Sequence, residues 1–137
     1  MKYSVRAKSI SGATGSVFVK QSVILFGTTV LSKDSLANPA ELFLSSLASC
    51  ILKNVERFSV LLKFEYSHAE INMSATRLEK PSRFKDIDYD LRIFSVDSML
   101  NVGLLKKNIE KFGTIYNTIN MSCNISGEVN QVSNLVI

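Results

Sequence analysis

The sequence predicts an α+β fold, with two helices packed against antiparallel strands in the order β-β-β-α-β-β-α-β. Three observations predict it. A stretch from Asn38 to about Lys63 carries a helix-start signature and a helical apolar repeat. Runs on both sides of it alternate apolar and polar residues with period two. A second helical repeat lies between Asp97 and Phe112.

Three strand-like runs open the chain: KYSVRAKSI, SVFVKQ and VILFG, the first two separated by the turn-forming SGATG. A polar connection, LSKDSLA, follows without periodicity. Asn38 then suits an N-cap, Pro39 the first helical position, and Glu41 the third place of a capping box. The helix they start carries a main apolar stripe of Leu44, Ala48, Ile51, Val55, Phe58 and Leu62. Leu42, Phe43 and Leu47 widen that stripe, so the first half of the helix is apolar around most of its girth. One sheet cannot cover such a surface, which calls for a second helix or a second subunit.

Two alternating runs come next, with KPSR between them. Ala69, Ile71, Met73 and Ala75 share one face of the first, and Ile87, Tyr89, Leu91 and Ile93 one face of the second. Asp86, Asp88 and Asp90 fall on the opposite, solvated face, and no other nearby residue type suggests a metal site. Asp97 or Ser98 suits the cap of the second helix, whose apolar positions are Val102, Leu105, Ile109 and Phe112. GTIYNTI makes a break or a further short helix. NMSCNISGEV closes the fold as a strand with Met121, Cys123 and Ile125 on one face.

At 137 residues and 46% hydrophobic composition, the chain is expected to form one domain, 1–137. The alternating N-terminus lacks the apolar core of a signal peptide, and no apolar run approaches the roughly 18–20 residues of a membrane span. The expectation is a cytoplasmic protein that engages no membrane. The net charge of +4 is spread without an aromatic-basic ribbon, so nucleic acid is not an expected partner. Two cysteines and one histidine make no zinc pattern, and no glycine-rich cofactor motif occurs, so neither metal nor cofactor is expected.

Cys50 is the candidate reactive residue. A thiol reacts as its thiolate, of which an ordinary cysteine has about 3% at pH 7, so a working cysteine needs a cation or a helix N-terminus beside it. Cys50 lies about three turns into its helix, too far along for the dipole to help. Ser46, Lys53 and Arg57 fall within about 60° of it on the helical wheel. That company fits an activated thiol, and it fits equally a half-buried cysteine beside solvated cations, the commoner role of a free cysteine. Cys123, between Met121 and Ile125, reads as core, and His68 beside Glu70 has no evident triad partner.

The stretch NPAELFLSSLASC, residues 38–50, resembles the OsmC/Ohr family of thiol-dependent hydroperoxide reductases and their relatives. The matching elements are Asn38, Pro39, Glu41, Leu42, the small residues Ser45, Ser46, Ala48 and Ser49, and Cys50. RLEKPSRFKDIDYDLRI is similar to the family's proline-containing hairpin, and LLKKNIEKFGTIYNTI to its second helix. The resemblance covers most of residues 3–130. It implies an OsmC-like fold whose long first helix is central in an intertwined homodimer, with Cys50 as the peroxide-attacking, catalytic cysteine.

Three departures from the family pattern bear on that role. The family's resolving cysteine corresponds to Gly113, its activating arginine falls near Ala13, and its arginine-holding glutamate corresponds to Ala40, with Glu41 one place later. The resemblance therefore implies reduction of organic hydroperoxides through Cys50, with an external thiol as reductant and Cys123 as a substitute resolver if it lies close enough. The alternative is a small-molecule binding or redox-sensing module of the same fold, without peroxidase turnover, in which Cys50 binds or senses and an apolar ligand takes the place of the hydroperoxide. A third reading makes Cys50 interface packing.

Overall fold

The computed structural model describes residues 1–133, and residues 134–137 of the expected 1–137 domain lie outside the described residues. Two compact units divide the chain, the first Met1–Phe43 and the second from Leu44 onward.

The first unit is a three-stranded antiparallel meander of β1 (Arg6–Ser9), β2 (Thr14–Val19) and β3 (Ser22–Gly27). Val19 pairs with Ser22, so Lys20 and Gln21 form a two-residue hairpin loop, with Lys20 at φ 52°. The chain then makes a 3-10 turn at Val30–Ser32 and returns so that Ala37 O accepts a hydrogen bond from Gly27 N at 2.8 Å. The sheet is poorly covered. All four residues of β1 are exposed, and Val23, Ile24 and Leu25 keep 58%, 42% and 52% of their surface.

Helix α1 spans Pro39–Leu61 and starts as expected. Glu41 N donates to Asn38 Oδ1 at 2.8 Å, and Asn38 N donates to Glu41 Oε1 at 3.0 Å, which closes the capping box.

In the second unit the sheet order is β4 (His68–Leu78), β5 (Arg83–Phe94), β6 (Asn124–Val132). The antiparallel β4–β5 register sets Ala69 against Ile93, Ile71 against Leu91, Met73 against Tyr89 and Ala75 against Ile87, so the two apolar rows of the sequence share one face. Ile87, Leu91 and Ile93 are fully buried. They join Leu47, Ile51, Val55 and Phe58 of α1 in one core. That core also takes Leu105 and Ile109 of α2 (Val102–Phe112), Tyr116 and Ile119 of α3 (Thr114–Asn120), and Val129 of β6. Each fully buried leucine or isoleucine contributes about 1.5–3 kcal/mol by leaving water.

Four expectations are corrected here. β6 runs parallel to β5, so the sheets are not wholly antiparallel. A parallel pair needs a long crossover, which α2 and α3 supply. The last strand begins at Asn124, not near Met121. Ser122 N and Cys123 N both bond Ile119 O to close α3, which leaves Met121 88% exposed. The cap of α2 is Asn101, whose side chain accepts from Leu104 N at 3.0 Å. Asp97 instead accepts from Met99 N and Glu65 N, pinning the approach to the helix. Phe112 is 45% exposed instead of core. Leu47, which widens the main stripe of α1, is completely buried, as an apolar surface covered on more than one side requires, because α1 has core partners on β5, α2 and α3 together.

Candidate active site around Cys50

Cys50 is half-buried on α1, and both cysteines are free thiols. Its notable neighbour comes from the junction of α2 and α3. That junction is Gly113, whose extended backbone (φ −79°, ψ 123°) breaks the helical run and brings the chain against α1.

A β-carbon at Gly113 would lie 3.0 Å from Cys50 Sγ, 3.0 Å from Tyr116 Cβ and 3.2 Å from Asn54 Nδ2. An unbonded carbon does not approach sulfur so closely without displacement, so the free Cys50 thiol in this position calls for glycine at 113. One arrangement does tolerate the spacing. In a disulfide each sulfur sits about 3 Å from the opposite β-carbon, given an S–S bond of about 2.05 Å. The position that the resemblance matches to a resolving cysteine thus lies at bonding distance from the thiol.

Around this point stand Asn54, one turn beyond Cys50 on α1 and only 7% exposed, and Tyr116, 4% exposed. Burial, followed by the charge of Glu110, pushes the Tyr116 phenol up to about 12, so it is a neutral hydroxyl at physiological pH. Glu110 accepts from Tyr89 Oη at 3.2 Å and pairs with Lys106 at 2.7 Å. Desolvation and the same carboxylate raise the Tyr89 phenol as well. Gly127 of β6 makes room for the Tyr89 ring, which a side chain there would strike.

Of the cations read as possible activators, Arg57 lies over aromatic rings. Its guanidinium carbon is 5.3 Å from the Phe58 centroid and 5.9 Å from that of Phe112, and the two rings are 5.8 Å apart. Lys53 is exposed on α1. Cys123 is half-buried, with its thiol directed to Phe84 O at 3.5 Å. His68 stacks on Phe94 at 4.1 Å, with Ser67 Oγ 2.7 Å from its Nδ1 and Glu70 3.8 Å from its Nε2. In the first unit, Ala13 lies in the β1–β2 turn and Glu41 is occupied by its cap. A groove of about 640 Å³ beside the second half of α1 is lined by Leu52, Glu56, Phe64, Tyr66 and His68, among others, and not by Cys50. Tyr66 donates to Glu56 there, and burial with that bond raises its phenol to about 12.

The sequence reading missed Asn54. Its signal was a polar residue four places after the cysteine, where the flanking Ile51, Val55 and Phe58 are all core.

Among the described residues no group of His, Cys, Asp or Glu is arranged to hold a metal, and no helix is long and apolar enough to cross a membrane.

Solved structures show the same fold. An OsmC-like protein from Mycoplasma pneumoniae superposes with a TM-score of 0.84 at 17% identity, over 96% of this chain and 98% of that one. The organic hydroperoxide resistance protein OsmC of Legionella pneumophila gives 0.67 at 15%, over 95% and 98%. OhrB, the organic hydroperoxide resistance protein of Bacillus subtilis, gives 0.59 at 15%, over 93% and 98%. No curated protein sequence matches the chain. The family model for OsmC-like proteins matches residues 32–128, which include α1 with Cys50, the β4–β5 hairpin, the α2–α3 junction and the start of β6. The chain belongs to the OsmC-like family.

Proposed function

We propose that this protein reduces organic hydroperoxides through Cys50, with an external thiol completing the cycle. The observation that carries the reading is the half-buried free thiol of Cys50 against the glycine junction, at the position of the family's attacking cysteine. A redox and stress role fits the family and the names of the Legionella and Bacillus neighbours. The thiolate attacks the terminal peroxide oxygen, giving an alcohol and a sulfenic acid on Cys50. With glycine at 113 and Cys123 turned to the Phe84 carbonyl, an outside thiol is the reductant.

The reading takes residues 1–137 as one functional domain acting in the cytoplasm as a homodimer. The exposed apolar residues of β3, together with Val60 and Leu61 at 71% and 58% exposure on α1, support a covering second copy. Neither metal, cofactor, nucleic acid nor membrane enters the cycle.

The alternative is a sensing or binding module without turnover, favoured by Gly113 and Ala13 standing where the resemblance expects a resolver and an activator. Steady-state consumption of cumene hydroperoxide with a dithiol reductant separates the two. Multiple turnovers abolished by Cys50→Ser support the peroxidase, whereas a single oxidation without turnover supports the sensor.

A further inference from the structure

We propose that the side-chain amide of Asn54 hydrogen-bonds the oxygen that Cys50 takes from a hydroperoxide. The inference rests on the peroxidase reading and adds a second working residue to it.

Asn54 is more than nine-tenths buried, on the side of α1 that supplies Ile51, Val55 and Phe58 to the core. An amide there is unfavourable unless something satisfies it. No protein group within the described residues hydrogen-bonds this side chain. Every fully sealed side-chain polar atom among those residues does have a partner, so the Asn54 amide must keep a little contact with an opening.

The geometry shows where it faces. Asn54 Nδ2 lies 3.2 Å, and Cys50 Sγ 3.0 Å, from one point above the Gly113 Cα. Sulfur and amide are therefore no more than about 6 Å apart and border the same niche. A bonded carbon is crowded there, but an oxygen attached to the sulfur is smaller and accepts hydrogen bonds. An amide N–H is the complementary donor.

In the first step the Cys50 thiolate attacks the terminal oxygen of ROOH. The S–O bond forms and the O–O bond breaks. The RO⁻ that leaves takes a proton from water to become the alcohol. Sulfur loses two electrons and the peroxide gains them. The Asn54 N–H donates to a lone pair of the oxygen in transfer and holds it in line with the sulfur, while the electron pair of the broken O–O bond leaves on RO⁻. It then holds the sulfenic oxygen aside. An external thiol, R′SH, attacks the exposed sulfur, forms a mixed disulfide and releases water. A second R′SH returns Cys50 to the thiol and leaves R′SSR′.

The test compares wild type with Asn54→Leu and Asn54→Ala. Three quantities are read: the rate of Cys50 oxidation by cumene hydroperoxide, its rate of alkylation by iodoacetamide, and the melting temperature. Alkylation needs the same thiolate but transfers no oxygen. The expected result is an oxidation rate about tenfold or more slower in both variants, with alkylation changed by less than about twofold. Asn54→Leu is expected to melt no lower than wild type, because it removes an unpartnered amide from the core.

A fast wild type with equally fast variants overturns the role of Asn54 and leaves the peroxidase standing. Oxidation and alkylation falling in parallel also overturns it, since that is a packing effect. A wild type no faster than a free thiol overturns the underlying function and this inference with it.

Discussion

Cys50 Sγ lies 3.0 Å from the position a β-carbon would take on Gly113, at the junction of α2 and α3, 63 residues away in sequence. That spacing is too short for an unbonded carbon and right for a disulfide-bonded one. Gly113→Cys should therefore form a disulfide with Cys50 on mild oxidation, seen as a loss of two mass units that dithiothreitol reverses. Gly113→Ala should instead crowd the thiol and destabilise the fold by about 1–3 kcal/mol. If Gly113→Cys stays reduced while it folds normally, the apposition of α1 and the α2–α3 junction is wrong.

The capping box at Asn38 and Glu41 satisfies two backbone amides that have no intrahelical partner. Asn38→Ala should lower stability by about 1 kcal/mol, measured by urea denaturation. An unchanged midpoint would mean that the start of α1 is held by something other than its cap.

Tyr116 carries the pH prediction. Its phenol is raised from 10.0 to about 12, chiefly by burial. A raised acid leaves stability fully present below its unfolded value, and the unfolded chain gains by ionising above it. Stability should hold up to about pH 10 and fall as pH rises towards 12. Tyr116→Phe should lessen that fall without abolishing it, because the Tyr66 and Tyr89 phenols are raised as well, as followed by melting temperature against pH. A profile that Tyr116→Phe leaves equally steep would move the effect to other groups.

The uncovered apolar side of the first unit bears on assembly. Under the proposed dimer, Leu25→Asp should shift the protein towards monomer in light scattering, because it places a charge in an exposed apolar surface that a second copy is proposed to cover. A wild type that is monomeric throughout would remove the dimer from the account.

Much of the fold was legible because its signals are local. The Asn38–Glu41 box, the period-two rows of β4 and β5, and their face-to-face register follow from short-range spacing. The parallel direction of β6 was not legible, since alternation records which face is buried and carries no strand direction. The cap of α2 was misplaced because Asp97, Ser98 and Asn101 are all good caps, and tertiary bonds to Glu65 and Met99 claimed Asp97. For the site, the family pattern led to Cys50 and to Gly113, but their contact depends on how the α2–α3 break meets α1, which no local pattern encodes. Asn54 was hidden by the same reasoning that found the apolar stripe, which passes over a single polar member.

The central claim is that Cys50 is a peroxide-reactive thiol. The most direct measurement is its rate of oxidation by an organic hydroperoxide, followed by intact mass, with Cys50→Ser and Cys123→Ser alongside. The account predicts fast addition of one oxygen confined to Cys50, absent in Cys50→Ser, unchanged in Cys123→Ser and reversed by added dithiol. Oxidation of Cys50 no faster than that of a free thiol would contradict it.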